Sequence, residues 1–155
     1  ALPIWKTVEM TPCLTLMVGL PGDVELPFVS RRAPEADLKW IVCDSAKPGR
    51  PDATCIVAHA SRDWSMRHLE LDRDAFAKLM LPLLCTALGI SAVITPAYLS
   101  GHRWRYAFVS RPLGRTYLAD EEETLFAGGD WCLGAKAEDA WVSGQAIATT
   151  IAKRV

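Results

Sequence analysis

The chain has 155 residues and a mass of 17.0 kDa, with 50% hydrophobic and 23% charged residues. That excludes a disordered tail, a collagen-like repeat and a highly charged coiled coil, and fits one domain or one domain plus a piece of another. Seventeen Lys and Arg against eighteen Asp and Glu leave a net charge of -1, so no global basic field draws the chain to nucleic acid.

The elements follow in chain order. Residues 12–20 read as a mostly buried strand, and Pro21-Gly22-Asp23 as a turn. Val24 to Ser30 fits a short second strand, and Arg31 to Asp37, which holds Pro34, fits a loop. Leu38 to Cys43 is a strand pattern. Ser45 to Asp52 contains two prolines and a glycine and reads as a loop. Thr54 to Ala60 is a further strand, ending at a helix start at Ser61. Asp72 or Asp74 caps a longer helix that runs to about Leu88 and stops at Gly89. Its apolar stripe is Phe76, Leu79, Met80, Leu83, Leu84 and Leu88, and Pro82 is expected to kink it. Val93 to Phe108 holds one long or two short strands. Arg111 to Glu123 is a turn-rich connection, Thr124 to Gly129 a short apolar strand, and about Ala135 to Lys153 a final helix. Hairpin-length connections in the first half predict a largely antiparallel sheet covered by the helix after Asp72, an α+β layout.

The longest apolar stretch, Leu79 to Ile90, is broken by Pro82 and is too short to span a bilayer, so no membrane segment is expected. The first residues, Ala-Leu-Pro-Ile-Trp-Lys, lack a signal-peptide layout. The chain does not begin with Met, which fits either a processed start or a piece of something longer. Five cysteines, at 13, 43, 55, 85 and 132, form no C-x-x-C pair and sit mostly among apolar neighbours. They read as reduced, mostly buried thiols of a cytoplasmic protein. The three histidines, at 59, 68 and 102, have no zinc-ligand spacing with them, so no metal is expected.

The segment 124–152 carries the chemistry. Gly128 and Gly129 stand at a strand end, where a bare backbone allows close approach. Asp130 follows with a carboxylate that can accept from ligand hydroxyls. The helix after Gly134 points free amides and a positive dipole end toward anything bound there. Ala140, Gly144 and Ala148 recur every four residues, a small-residue stripe that lets a helix approach another backbone, as dinucleotide-binding units require. The plain alternative is an amphipathic helix packed on a sheet, with Asp130 as a turn or cap carboxylate.

This segment resembles the C-terminal flavin-binding motif of FAD-dependent amine oxidases, in particular the bacterial renalase-like oxidoreductases. The matching residues are Gly129-Asp130-Trp131-Cys132 and Glu138-Asp139-Ala140-Trp141-Val142-Ser143-Gly144, with Asp139 where the family usually has Gly. The resemblance continues upstream in Pro12 to Met17, in Trp40-Ile41 with Ser45 to Arg50, in Val57 to Ser61, Trp64-Ser65 and His68 to Glu70, and in Trp104 to Ala107. The family's N-terminal G-x-G-x-x-G unit has no counterpart here. The resemblance therefore implies the C-terminal half of a flavoenzyme: a substrate-side domain over 1–118, then, over 124–155, the last strand and helix of a Rossmann-like FAD-binding domain whose N-terminal part is the missing partner.

Several roles are implied in turn. Gly129, Asp130, Trp131, Ala137 and Glu138 would bind FAD, with Asp130 on the ribityl chain and the backbone at Ala137 and Glu138 at the pyrimidine edge. Trp40, His102, Trp104 and Tyr106 would line a small-molecule pocket, although singly each aromatic is as well read as core. His59 and His102 are acid–base candidates with a structural alternative, and the basic loop Lys47-Pro48-Gly49-Arg50 is either a phosphate contact or a solvated loop. The implied reaction is hydride transfer from an amine or dihydronicotinamide to FAD, with O2 as acceptor, and the chain alone is expected to be inactive. Two other readings stay open: a stand-alone α+β binding module, and a thiol enzyme using Cys132 at a helix start. A complete module should cover the small-residue stripe, whereas a half-protein should expose it and dimerise or aggregate through it.

Overall fold

The computed structural model describes residues 7–22, 24, 26–50, 53–90 and 94–153. Asp23, Asp52, Val93 and Arg154 lie outside them. The described elements are β1 (Glu9–Gly19), β2 (Ser30–Arg32), β3 (Leu38–Cys43), β4 (Cys55–Ala60), α1 (Arg62–Arg67), α2 (Arg73–Leu88), β5 (Tyr98–Arg111), β6 (Leu118–Ala119), β7 (Phe126–Ala127) and α3 (Ala137–Ala152). The architecture is α+β with a mostly antiparallel sheet in the order β2-β3-β4-β1-β5. Contacts divide the chain into two compact units, residues 12–105 and residues 1–11 with 106–155.

In the first unit, β4 is central. Its residues pair with β1 (Thr15 with His59, Met17 with Val57) and with β3 (Trp40 with His59, Val42 with Val57), with a register shift between Leu38 and Trp40. The period of two then sorts the side chains. Leu14, Leu16 and Val18 of β1, Ile41 of β3, and Ile56, Ala58 and Ala60 of β4 form the core with Phe76, Ala77, Met80, Leu81, Leu84, Cys85 and Leu88 of α2. Ser61 caps α1 by accepting from the Trp64 amide at 3.2 Å. Asp72 caps α2 by accepting from the Ala75 amide at 2.8 Å, and Gly89, at φ +74°, ends it in the left-handed conformation. The fully buried Ser65 ties α1 to the sheet, accepting from the Leu14 amide at 3.0 Å.

Four expectations need correction. Val24 to Ser30 is not a strand. Val24, Leu26 and Phe28 still pack on the core, but the strand begins at Ser30 and takes in Arg31 and Arg32, which the proline at 34 had placed in a loop. Asp44–Ala46 forms one 3₁₀ turn before Pro48. Leu79 points to solvent, and Ala77, Leu81 and Cys85 are buried instead, so the stripe of α2 is rotated. The helix also runs unbroken through Pro82. Finally, β5 is one strand of fourteen residues, extending past Phe108 to Arg111.

In the second unit, β6 and β7 form a two-stranded antiparallel ribbon, and α3 runs for sixteen residues. The ribbon's turn is closed by Asp120, whose carboxylate accepts from the amides of Thr124 and Leu125 and from the Thr124 hydroxyl. Those bonds hold the Asp120 carboxyl below its ordinary value. No helix among the described residues is long and apolar enough to cross a membrane.

Candidate functional sites: an aromatic sheet face and a Gly-Gly-Asp turn

The sheet face opposite α2 has no covering helix. Trp40, His59 and Thr15 lie on it in one row across β3, β4 and β1, and the Trp40 and His59 rings meet edge to face with centroids 4.9 Å apart. On β5, Gly101 faces α2 so closely that a Cβ would collide with the Phe76 ring and the Arg73 carbonyl. Arg103 and Arg105 follow on that side, donating to the Leu71 carbonyl and the Glu70 carboxylate. His102 and Trp104 therefore point to the open face, where their rings lie 4.3 Å apart. Trp104 is 52% exposed. Strand spacing puts Trp40 and the His102–Trp104 pair about 14 Å apart, with His59 and Thr15 between. Tyr106, two residues further along β5, is 77% exposed and belongs to the second unit.

The electrostatics of this face are one-sided. Arg32 lies 5.9 Å from the Trp40 ring centroid. Burial lowers the pKa of His59, and the nearby Lys39 ammonium lowers it further. Burial of the Cys13 thiol raises its pKa, and Lys39 acts against that shift. No Asp or Glu occurs in β2, β3, β4 or β5. The loop cations are occupied elsewhere: Lys47 and Arg50 both pair with Asp44, and the Lys47 hydrogen bond is the main cause of that carboxyl's depressed pKa.

The Gly-Gly-Asp turn is built by α3. A Cβ on Gly128 would collide with the Ser143 hydroxyl and the Ile147 methyl, so this glycine lets strand and helix close on each other. Gly129, in extended backbone, donates to Ser143 Oγ at 3.0 Å, and Ser143 is fully buried. The Trp131 ring occupies the space a Gly129 side chain would need. Asp130 opens a 3₁₀ turn, Asp130–Cys132, and its Oδ1 accepts from the Trp131 amide at 2.8 Å. Ala137 and Glu138 begin α3, both exposed, with first-turn amides that have no intrahelical acceptor. Asp139 closes a capping contact, accepting from the Lys136 amide at 3.0 Å and lying against Gly134. Its carboxylate brings a negative charge to this helix end. Cys132 is fully buried, so a thiol enzyme built on it is ruled out: no substrate reaches the sulfur.

Ala140, Gly144 and Ala148 are all exposed within the described structure, and a Cβ on Gly144 would meet nothing within 4 Å. Beside them Trp141 is 66% exposed, and Val142 and Ile151 are exposed as well. The helix holds its own unit through Ser143, Ile147 and Thr150, the last bonded to the Tyr117 hydroxyl at 2.9 Å.

A cavity of about 410 Å³ lies elsewhere in the first unit, lined by Val24, Leu26, Phe28, Cys43, Ser45 and Thr54 among others. It contains none of the residues singled out by sequence. Its hydroxyls are engaged, Thr54 by the Val24 amide and Ser45 by the Cys55 amide.

The structure thus brings Trp40, His102 and Trp104 to one face, and Gly129, Asp130 and Trp131 to one turn beside the start of α3. Sequence reasoning left His59 and Lys39 out of the pocket. The signal that places them is the β3–β4 register, which pattern alone does not fix.

No family model matches the chain. Among solved structures it is similar to a crystal structure described as "Putative protoporphyrinogen oxidase" from Exiguobacterium sp. 255-15, with a TM-score of 0.73 and 18% sequence identity. The match covers 100% of this chain and 37% of that one. At this identity the likeness is one of fold: the chain has the α+β architecture of part of an oxidase-type protein.

Proposed function

We propose that this chain is the C-terminal portion of an FAD-dependent oxidoreductase of the amine oxidase type, renalase-like and cytoplasmic, that acts on an amine or a dihydronicotinamide. The observation that carries the reading is the uncovered face of α3. A helix whose Ala140, Gly144 and Ala148 stripe lies open beside exposed Trp141 is built to receive another backbone. The fold likeness to part of an oxidase supports the same reading.

The residues present fit a flavin's polyol side. Asp130 keeps one carboxylate oxygen beyond the Trp131 amide for a ligand hydroxyl. Gly129 leaves the turn narrow, with Trp131 folded against it. Ala137 and Glu138 offer uncommitted amides, which suit a carbonyl edge. The Asp139 carboxylate at the same end weakens the helix's pull on a full negative charge. FAD, when bound, supplies the hydride acceptor and passes the electrons to O2. On the other unit, the face of Trp40, His102 and Trp104, continued by Tyr106, supplies flat apolar surface against which a planar substrate packs.

Because an FAD site of this kind needs a second, phosphate-binding half, the 155-residue chain alone should hold no flavin. Mixing it with FAD and passing it through gel filtration should give a colourless protein peak. A yellow peak with stoichiometric flavin overturns the proposal. Light scattering should also show concentration-dependent association through α3. A strictly monomeric chain would favour the alternative, a self-contained binding module.

A further inference from the structure

We infer that His59 is the hydrogen-bonding and charge-selecting residue of the open sheet face, which takes planar rings without positive charge. This rests on the reading of that face as the substrate side. Three observations lead to it. His59 stands in mid-row, between Thr15 on β1 and Trp40 on β3, on the same face as His102 and Trp104. Its ring packs edge-on to Trp40 and is half-buried, yet neither ring nitrogen bonds to a described protein group. By contrast, His68, the histidine on α1's far side of the fold, stacks on Trp64 and uses Nδ1 on the Trp64 carbonyl at 2.8 Å. An imidazole walled by an aromatic, with both nitrogens unspent, is a recognition group, able to donate from one nitrogen and accept at the other. The charges nearest it, Lys39 and Arg32, are positive, and β2 to β5 supply no carboxylate to answer a cation. A protonated amine would meet like charge there, and a neutral or anionic ring would not.

The test uses the chain itself and three small aromatic probes at neutral pH: benzamide, benzoate and benzylammonium. The chain has three histidines, so the imidazole ring signals in a proton–carbon NMR spectrum resolve into three sets, assignable through a His59→Phe variant. Benzamide and benzoate should move the His59 and His102 signals and leave His68 still, and benzylammonium should bind about threefold more weakly or worse. His59→Phe keeps a ring against Trp40 and removes both nitrogens. It should weaken benzamide binding about fivefold, the effect of losing one ordinary hydrogen bond, with unchanged circular dichroism. His59→Gln should recover part of the loss. Equal or tighter binding of benzylammonium, unchanged benzamide binding in His59→Phe, or no shift with any probe would each overturn the inference. None of these results depends on flavin, so the gel-filtration experiment fails or succeeds separately.

Discussion

Two buried serines show how single residues fix this molecule. Ser65 and Ser143 are fully buried, and each accepts from a backbone amide that has no other described partner, Leu14 in one case and Gly129 in the other. Ser65→Ala would leave the Leu14 amide buried and unbonded, at a cost of about 1–3 kcal/mol. Urea denaturation should show the midpoint fall with an unchanged slope, and an unchanged midpoint would mean water takes the serine's place. His59 has a pH signature as well. Its folded pKa lies below the ordinary 6.5 because burial, then Lys39, disfavour the imidazolium. The unfolded chain therefore binds the proton more tightly, and stability must fall as pH drops from about 6.5 through the folded value. The depressed carboxyls Asp44, Glu70 and Asp120 add their losses only at lower pH. His59→Phe should flatten the upper part of that decline in thermal melts taken at a series of pH values, while leaving the lower part intact.

At the scale of elements, two glycines sixteen residues apart should answer the same substitution with opposite signs. Gly128→Ala drives a methyl into Ser143 and Ile147 and should destabilise by about 1–3 kcal/mol. Gly144→Ala meets nothing and relieves a helix of its glycine, so the chain alone should gain up to about 1 kcal/mol. If both substitutions destabilise equally, the outer face of α3 is covered in solution. The same contrast explains what the sequence could and could not tell. The caps at Ser61 and Asp72 and the stop at Gly89 were legible because they are local chemistry. So was β3, whose bounds match the expected strand residue for residue. The apolar run from Val24 misled, because burial by packing on a core does not require ladder bonds. The α2 stripe came out rotated because Leu79 is apolar without being inward, and Ala77 is small enough to lie against the sheet. The pocket aromatics were legible as a set, since Trp40, His102 and Trp104 do share a face. The place of His59 beside Trp40 was not, because it depends on a register shift between Leu38 and Trp40 that no pattern announces.

At the scale of the whole molecule, the account joins an aromatic, cation-flanked sheet face in one unit with a Gly-Gly-Asp turn and a bare helix in the other. Each is a partial site. The face has wall residues and no acceptor for a hydride, and the turn has polyol-binding groups and no phosphate cradle. The neighbouring oxidase, of which the chain matches 37%, has the further length that such a cofactor site requires. The most direct test is the flavin content of protein purified from the complete reading frame, measured by absorbance per polypeptide, beside the 155-residue chain prepared identically. The account predicts about one FAD per polypeptide in the first, reduced by Asp130→Ala, and none in the second. A colourless, folded product from the complete frame would contradict it.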